Sequence, residues 1–246
     1  MNLSPSATLA MSQKSNELKA QGVHVINLSV GEPDFFTPDH IKEAAKKAID
    51  DNFSFYTPVP GYLSLRKAIA AKLKNENGVD FAPEQIIVSN GAKQSLCNCI
   101  LSAINPGAEV IIPTPAWVSY VEMVKLAEGV PVLVYAGVEQ NFKITAQQLR
   151  EAITPKTRMI LICSPSNPTG SVYSKEELKA LADVLADYPD ILILADEIYE
   201  HINFTGHFES ISQFECVRNR VAIVNGVSKA YAMTGWRIGF LAAPLW

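Results

Sequence analysis

One stretch concentrates groups capable of chemistry: Asn225-Gly226-Val227-Ser228-Lys229-Ala230-Tyr231-Ala232-Met233-Thr234-Gly235-Trp236-Arg237-Ile238-Gly239-Phe240. An apolar run, Val221 to Val224, leads into it, and the Ser228-Lys229 pair sits where that run ends. A lysine at such a place is ordinarily a solvated cation. Here Met233, Trp236, Ile238 and Phe240 offer apolar walls around it. Burial makes an ammonium easier to deprotonate, and the free amine is a nucleophile toward an aldehyde. Ser228 by hydrogen bond and Arg237 by a two-pronged charge pair can hold a phosphate. An aldehyde joined to a phosphate is the handle of pyridoxal 5'-phosphate, so the stretch predicts a covalent cofactor site.

Other residues suit the remaining edges of such a molecule. Asp196 ends the apolar run Ile191 to Ala195. It can cap whatever follows, or it can face a pyridine nitrogen and keep it protonated, which makes the ring an electron sink. Tyr199 and Asn167 can donate to the ring's phenolic oxygen, although Asn167 beside Pro168 also reads as a plain turn residue. Gly91-Ala92-Lys93 precedes a helix, whose free N–H groups can cup a phosphate; most turns of this composition bind nothing. Trp117 can be core or a stacking face for a flat ring.

The elements that must position these groups follow a rhythm. A helix runs from Leu3–Thr8 to Lys19, and Val23 to Val30 reads as a strand. Gly31-Glu32-Pro33-Asp34-Phe35 is a turn. A helix capped at Thr37-Pro38-Asp39 reaches Asp51, with an apolar face of Ile41, Ala44, Ala45, Ala48 and Ile49. Phe53 to Leu63 is an ordered aromatic loop, and Ser64 caps a helix over Leu65 to Asn75. Strands and helices then alternate. Strands are expected at Ile86–Val88, Val110–Ile112, Val130–Tyr135, Met159–Cys163, Ile191–Leu194, Val221–Val224 and Ile238–Ala242. Helices are expected at Ser95–Ile104, Val118–Ala127, Gln147–Ile153 behind a Thr145 cap, and Glu176–Asp187 behind Ser174 with Glu177 completing a capping box. Short, fully apolar strands each followed by a helix predict a mainly parallel sheet covered on both faces. Ligands bind such sheets beyond the C-terminal strand ends, and every polar cluster named above falls after a strand end.

Composition bounds the class. Of 246 residues, 48% are hydrophobic and 19% charged, which is a globular composition with ample core material. A net charge of -4 without a long run of either sign argues against nucleic acid or an anionic membrane as partner. Cys97, Cys99, Cys163 and Cys216 follow no zinc spacing, and His24, His40, His201 and His207 form no metal-ligand pattern. No signal core precedes Gln21 and no apolar stretch has membrane-spanning length, so a soluble cytoplasmic protein is expected.

Taken together, the motifs resemble the class I/II aminotransferases of the pyridoxal-phosphate fold-type-I superfamily, bacterial aspartate aminotransferases most of all. The resemblance is carried by Pro5-Ser6-Ala7-Thr8, Gly31 to Phe35, Tyr56 with Gly61, Asn90 to Gln94 and Pro115-Ala116-Trp117. Ser166-Asn167-Pro168-Thr169-Gly170, Asp196 to Tyr199, and Ser228-Lys229 through Gly239 complete it, and these three in order are highly specific.

The resemblance implies an α/β fold: a three-layer α/β/α cofactor domain, mainly parallel, with the last strand antiparallel. Residues 1–36 would be an N-terminal arm and the start of a small domain, and 37–246 the large cofactor domain. Lys229 would form the Schiff base and carry the proton. Asp196 would pair with the ring nitrogen, Tyr199 and Asn167 with the phenolic oxygen, and Trp117 would stack. Gly91, the N–H groups of Ala92 and Lys93, Ser228 and Arg237 would hold the phosphate, with Tyr56 reaching into a partner's site in a homodimer. Gly31, Trp117, Asn167, Lys93 and Thr8 would touch substrate, and Asn167-Pro168 and Thr114-Pro115 would be cis. No metal is implied. The activity implied is transfer of the amino group of aspartate to a 2-oxo acid such as 2-oxoglutarate. Aromatic, prephenate or alanine aminotransferases, a carbon–sulfur lyase, an effector-binding module and an inactive truncated fragment are the alternatives. Members of the family run well past Trp246, so most of the small domain and its carboxylate-clamping arginine are expected beyond this chain. Ala92 stands where a second glycine is common, but still offers its N–H.

Overall fold

A computed structural model describes residues 7–28 and 30–245. Among the described residues, one seven-stranded sheet carries the fold: β1 (Ile86–Ser89), β2 (Glu109–Thr114), β3 (Val130–Tyr135), β4 (Thr157–Cys163), β5 (Leu192–Asp196), β6 (Val221–Gly226) and β7 (Gly239–Ala242). Its order is β1-β7-β6-β5-β4-β2-β3. Neighbours pair in parallel from β6 to β3, while β7 runs antiparallel to both β6 and β1. The helices are α1 (Ala7–Ala20), α2 (Asp39–Asp50), α3 (Leu63–Asn77), α4 (Ala92–Ala103), α5 (Ser119–Leu126), α6 (Ala146–Ala152), α7 (Lys175–Ala186) and the single turn α8 (Glu215–Arg218).

Strand alternation explains the three layers. Successive side chains point to opposite sheet faces, so a strand apolar throughout feeds two cores. Ile111, Ile160, Ile193 and Ile223 join α3, α6, α7 and α8 on one face. Val110, Ile112, Met159, Leu161, Leu194 and Val224 join α4 and α5 on the other. The expected α/β/α sandwich with an antiparallel last strand is the architecture observed.

Caps behave as read at two helices. Thr145 accepts from the Gln148 N–H at the start of α6, and Ser174 from the Glu177 N–H at the start of α7, each inside a capping box. Elsewhere the boundaries move. Ser64 caps nothing: α3 begins at Leu63 with Tyr62 as its N-cap, and Ser64 lies inside the first turn. Helix α4 begins at Ala92, three residues before the expected Ser95, because Gly91 at φ 83 turns the chain directly from strand into helix. Strand β5 extends through Asp196 and β6 through Gly226.

Residues 23–28 form no strand, contrary to expectation. Ile26 and Leu28 are 77% and 91% exposed, and no described strand pairs with this segment. An apolar run becomes a strand only where a neighbour satisfies its backbone. Helix α2 has its amphipathic pattern, yet none of its residues is buried in this chain, and Ile49 is 73% exposed. The reading of Leu3 to Ser6 as helix lies outside the described residues. No described helix is long and apolar enough to cross a membrane.

Candidate functional site

The C-terminal ends of β2, β4, β5 and β6 share one sheet edge, and a cleft of about 380 Å³ opens there. Its walls come from loops far apart in sequence. Thr8, Gly31, Ala92, Lys93, Trp117, Asn167, Asp196, Tyr199, Ser228, Lys229 and Arg237 all line it. Gly91 is the N-cap of α4, next to the lining residue Ala92. Tyr56 is the exception: it is fully exposed, away from the cleft.

At the floor, Asp196 is the last residue of β5 and is buried. Its Oδ2 accepts a 2.6 Å hydrogen bond from the Tyr120 hydroxyl, and its Oδ1 one of 3.3 Å from the Ile198 N–H. Burial drives the carboxyl up to about 6, against the pull of both donors. A carboxylate so placed gains most from a cation facing it across the cleft.

Lys229 enters from the loop after β6. Its ammonium donates to the Gly31 carbonyl at 2.5 Å and lies 5.6 Å from the centre of the Tyr199 ring. Burial lowers its proton affinity, and Glu32 partly restores it. Tyr199, three residues past Asp196, accepts from the Asn167 amide at 3.3 Å. Burial raises its phenol to about 12, so at neutral pH it keeps a proton to donate. Trp117 packs edge-on against Tyr120, ring centres 5.4 Å apart, and the Lys93 ammonium sits 5.0 Å from the Trp117 ring.

The far corner is a cradle of donors. The N–H groups that open a helix have no partner within it, and at α4 these belong to Ala92 and Lys93. Ser228 and Arg237 close the corner. Arg237, at φ 58, is anchored through the Thr234 and Asn90 carbonyls at 2.7 and 3.2 Å. Two glycines make this possible. A Cβ on Gly91 would lie 2.2 Å from an Arg237 guanidinium nitrogen, and one on Gly239 would lie 2.2 Å from the Ala92 nitrogen. Bare backbone at both positions lets strand, helix start and arginine converge.

Three X-Pro bonds border the cleft loops in the cis form: Thr114-Pro115 and Asn167-Pro168, as the resemblance implied, and Ser164-Pro165, which was not anticipated. Tyr120 was also missed. It is buried, and its spacing from Trp117 puts both on one face of the turn that opens α5. A phenol buried in that position needs a polar partner, and that demand was the available signal. Leu96, Ile198, Val30 and Thr234 complete the wall.

The model of the aminotransferase class I and II family matches residues 23–245. An aspartate/prephenate aminotransferase of Nitrosomonas europaea is 53% identical over 244 residues, covering 98% of this chain and 62% of the relative. One from Cereibacter sphaeroides is 50% identical, covering 98% and 61%. Among solved structures, the Thermus thermophilus aspartate aminotransferase with maleate superposes at TM-score 0.95 with 45% identity, covering 98% of this chain and 63% of that one. The aspartate aminotransferase of Rhizobium meliloti gives 0.94 and 44%, covering 98% and 61%. The chain thus spans about three fifths of the length of these relatives. Since the match runs through the whole sheet and the loops that wall the cleft, the chain belongs to the aminotransferase class I and II family.

Proposed function

We propose that this chain is the cofactor-holding part of an aminotransferase that moves the amino group of L-aspartate to a 2-oxo acid through pyridoxal 5'-phosphate. One observation carries the reading. A buried carboxylate, Asp196, and a half-buried amine, Lys229, face one cleft from the ends of adjacent strands, with the helix start at Ala92 and Lys93, Ser228 and Arg237 lining the same cleft.

The residues fit the cofactor on the chemistry of this donor set. The Ala92 and Lys93 N–H groups, Ser228 and Arg237 suit a phosphate dianion at a helix N-terminus. Asp196, unstable as an isolated buried anion, suits a protonated ring nitrogen. Trp117 offers a flat face, and Tyr199 and Asn167 offer donors to a ring oxygen. When bound, pyridoxal phosphate supplies an aldehyde for an amine and a protonated ring that takes up the charge left by a departing α-proton.

The chain's own residues do the rest. The Lys229 amine, its proton affinity lowered by burial, would hold the cofactor by its aldehyde and, once free, would take and return the α-proton. Asp196 keeps the ring nitrogen charged, and Tyr120 orients Asp196. Lys93, which lines the cleft as Thr8 does, pairs with the distal carboxylate of aspartate, and the Gly31 backbone meets the α-carboxylate.

The acceptor is 2-oxoglutarate, with prephenate the second reading because relatives bearing that name are half identical to the chain. The chain works as a homodimer in the cytoplasm. Tyr56 on an exposed ridge with Phe55 and Val59 supports this, since so much apolar surface calls for cover by a second copy, whose site Tyr56 then reaches. Residues 1–36 act as an arm and the start of a small domain, and 37–246 as the large domain.

The test is borohydride reduction of the protein incubated with pyridoxal 5'-phosphate, followed by peptide mass mapping. Label on Lys229, absent in Lys229→Ala, is expected; label elsewhere, or undiminished in the variant, sinks the reading. In the full-length protein, Lys93→Ser should lower the preference for aspartate over aromatic substrates, and an unchanged ratio removes Lys93 from substrate recognition.

A further inference from the structure

Behind the cleft floor lies a buried polar cluster that the proposed chemistry does not use. Its centre is Glu200, four residues past Asp196 and 7% exposed. Glu200 takes hydrogen bonds from three directions. The Lys72 ammonium of α3 makes a very short contact to Oε1. The Asn77 amide at the end of α3 donates to Oε2 at 2.6 Å, and the Asn225 amide of β6 donates to Oε1 at 2.8 Å. His201 approaches the same oxygen at 3.4 Å, from the partly exposed rim.

Asn225 explains the choice of partners. It is 3% exposed, and its other amide atom accepts from the Gly226 N–H at 2.7 Å. Both ends of the amide are therefore committed, and its orientation is set. It stands three residues before Ser228 and four before Lys229. The parallel ladder between β5 and β6 ends just here, with Asp196 opposite Val224 and the Glu197 N–H on the Val224 carbonyl at 2.9 Å. Beyond that point the two chains part: one carries Asp196 and Tyr199, the other Ser228 and Lys229. The Glu200–Asn225 hydrogen bond crosses the gap, and Lys72 with Asn77 ties it to a third element.

We propose that Glu200 is a positioning residue: through Asn225 it holds the Asp196–Tyr199 turn and the Lys229 loop at the separation that one flat cofactor requires. The proposal rests on the cofactor reading above. The physical reason is that ring nitrogen and aldehyde belong to one rigid molecule, so groups meeting them must be spaced to well under 1 Å. A misplacement of about 1 Å costs on the order of 100-fold in rate. A buried carboxylate with several charged or amide donors is a stiff anchor, because any movement strands a charge.

Glu200→Ala takes the shared acceptor away from Lys72, Asn77 and Asn225 at once and invites misfolding, so the decisive variant is Asn225→Ala, which leaves the Lys72 and Asn77 contacts to Glu200 intact. Full-length protein is stripped of cofactor and re-exposed to pyridoxal 5'-phosphate. Attachment to Lys229 is followed by borohydride trapping and mass, and the visible absorbance of the attached cofactor is titrated against pH. The expected result is attachment slowed about tenfold, in keeping with a displacement of a fraction of 1 Å, and a pH midpoint moved from the parent's. Glu200→Gln, which retains an acceptor for Asn225, should attach faster than Asn225→Ala although it loses the charge facing Lys72. A purely structural contact would lower the melting temperature and leave rate and midpoint at parental values; that result overturns the proposal while the cofactor reading stands. A parent protein that attaches no cofactor at Lys229 overturns both.

Discussion

Replacing Tyr120 by Phe removes one oxygen from the molecule and tests how the floor carboxylate is tuned. The ring keeps its edge-on packing against Trp117. What goes is the 2.6 Å bond from the hydroxyl to Asp196, one of the two contacts that hold the carboxyl down against burial. A hydrogen bond to a charged group is worth about 1.5–3 kcal/mol, and 1.36 kcal/mol corresponds to one pH unit. The Asp196 midpoint in cofactor-free protein should therefore rise from about 6 by roughly one to two pH units. The sign for stability follows. Because the folded carboxyl binds its proton more tightly than an unfolded one at 3.8, its stabilising contribution is complete below that pH and is lost as pH rises through about 6. In Tyr120→Phe the loss should continue to higher pH, leaving the variant weaker than the parent by about 1 kcal/mol at pH 7 and by the full energy of the missing bond only above its own raised midpoint. Denaturant unfolding from pH 4 to 8 measures the slope, and the infrared band of the carboxyl follows Asp196 itself. If cofactor is attached, the lower limb of the pH–rate profile should move up with it. A midpoint that stays put or falls in Tyr120→Phe refutes the reasoning, since the bond would then not be favouring the ionised form.

The other expectations concern separate parts of the fold. Gly91→Ala brings a Cβ 2.2 Å from the Arg237 guanidinium at a backbone φ of 83. It should cost about 1–3 kcal/mol in stability, because φ 83 with ψ 160 is a backbone conformation open essentially to glycine alone, and weaken inorganic phosphate binding measured by calorimetry. Unchanged phosphate affinity would remove this corner from the anion site. Ser174→Ala deletes the N-cap of α7 and should cost about 1 kcal/mol while cofactor attachment to Lys229 is unaffected. Glu197 is buried, bonded to the Ser210 hydroxyl at 2.5 Å, and its Oε2 has no hydrogen-bond partner among the described residues. Burial lifts its carboxyl to about 8, so the protein should lose stability as pH climbs from about 5 past 8. Glu197→Gln should flatten that slope, and parallel unfolding curves for parent and variant would show that Glu197 does not titrate there.

Much of the site could be read from residue types alone. Lys229, Asp196 and Arg237 each have an ordinary reading alone, as solvated cation, cap or surface charge, and it is their joint occurrence after apolar runs that points to chemistry. Short apolar runs alternating with capped helices likewise demand a covered parallel sheet, because a strand apolar on both sides must bury both. Local patterns also carry the Thr145 and Ser174 caps, whose bonds span three residues. The same locality misled at residues 23–28, where an apolar run has no described strand to pair with, and at Ser64, where a good capping residue sits two positions past the N-cap.

Tertiary structure decided what depends on distant partners. Tyr120 reads as core until Asp196 arrives under its hydroxyl from 76 residues away. Glu200 and Asn225 are unremarkable polar residues until β5 and β6 lie side by side. The start of α4 follows from Gly91 taking a positive φ as Arg237 and β7 close in. Sequence carries the chemical identity of each group and the period of each element, because both are properties of single residues or near neighbours. Which groups meet, at what distance and how deeply buried, is set by strand order, and that order is a property of the whole packed chain.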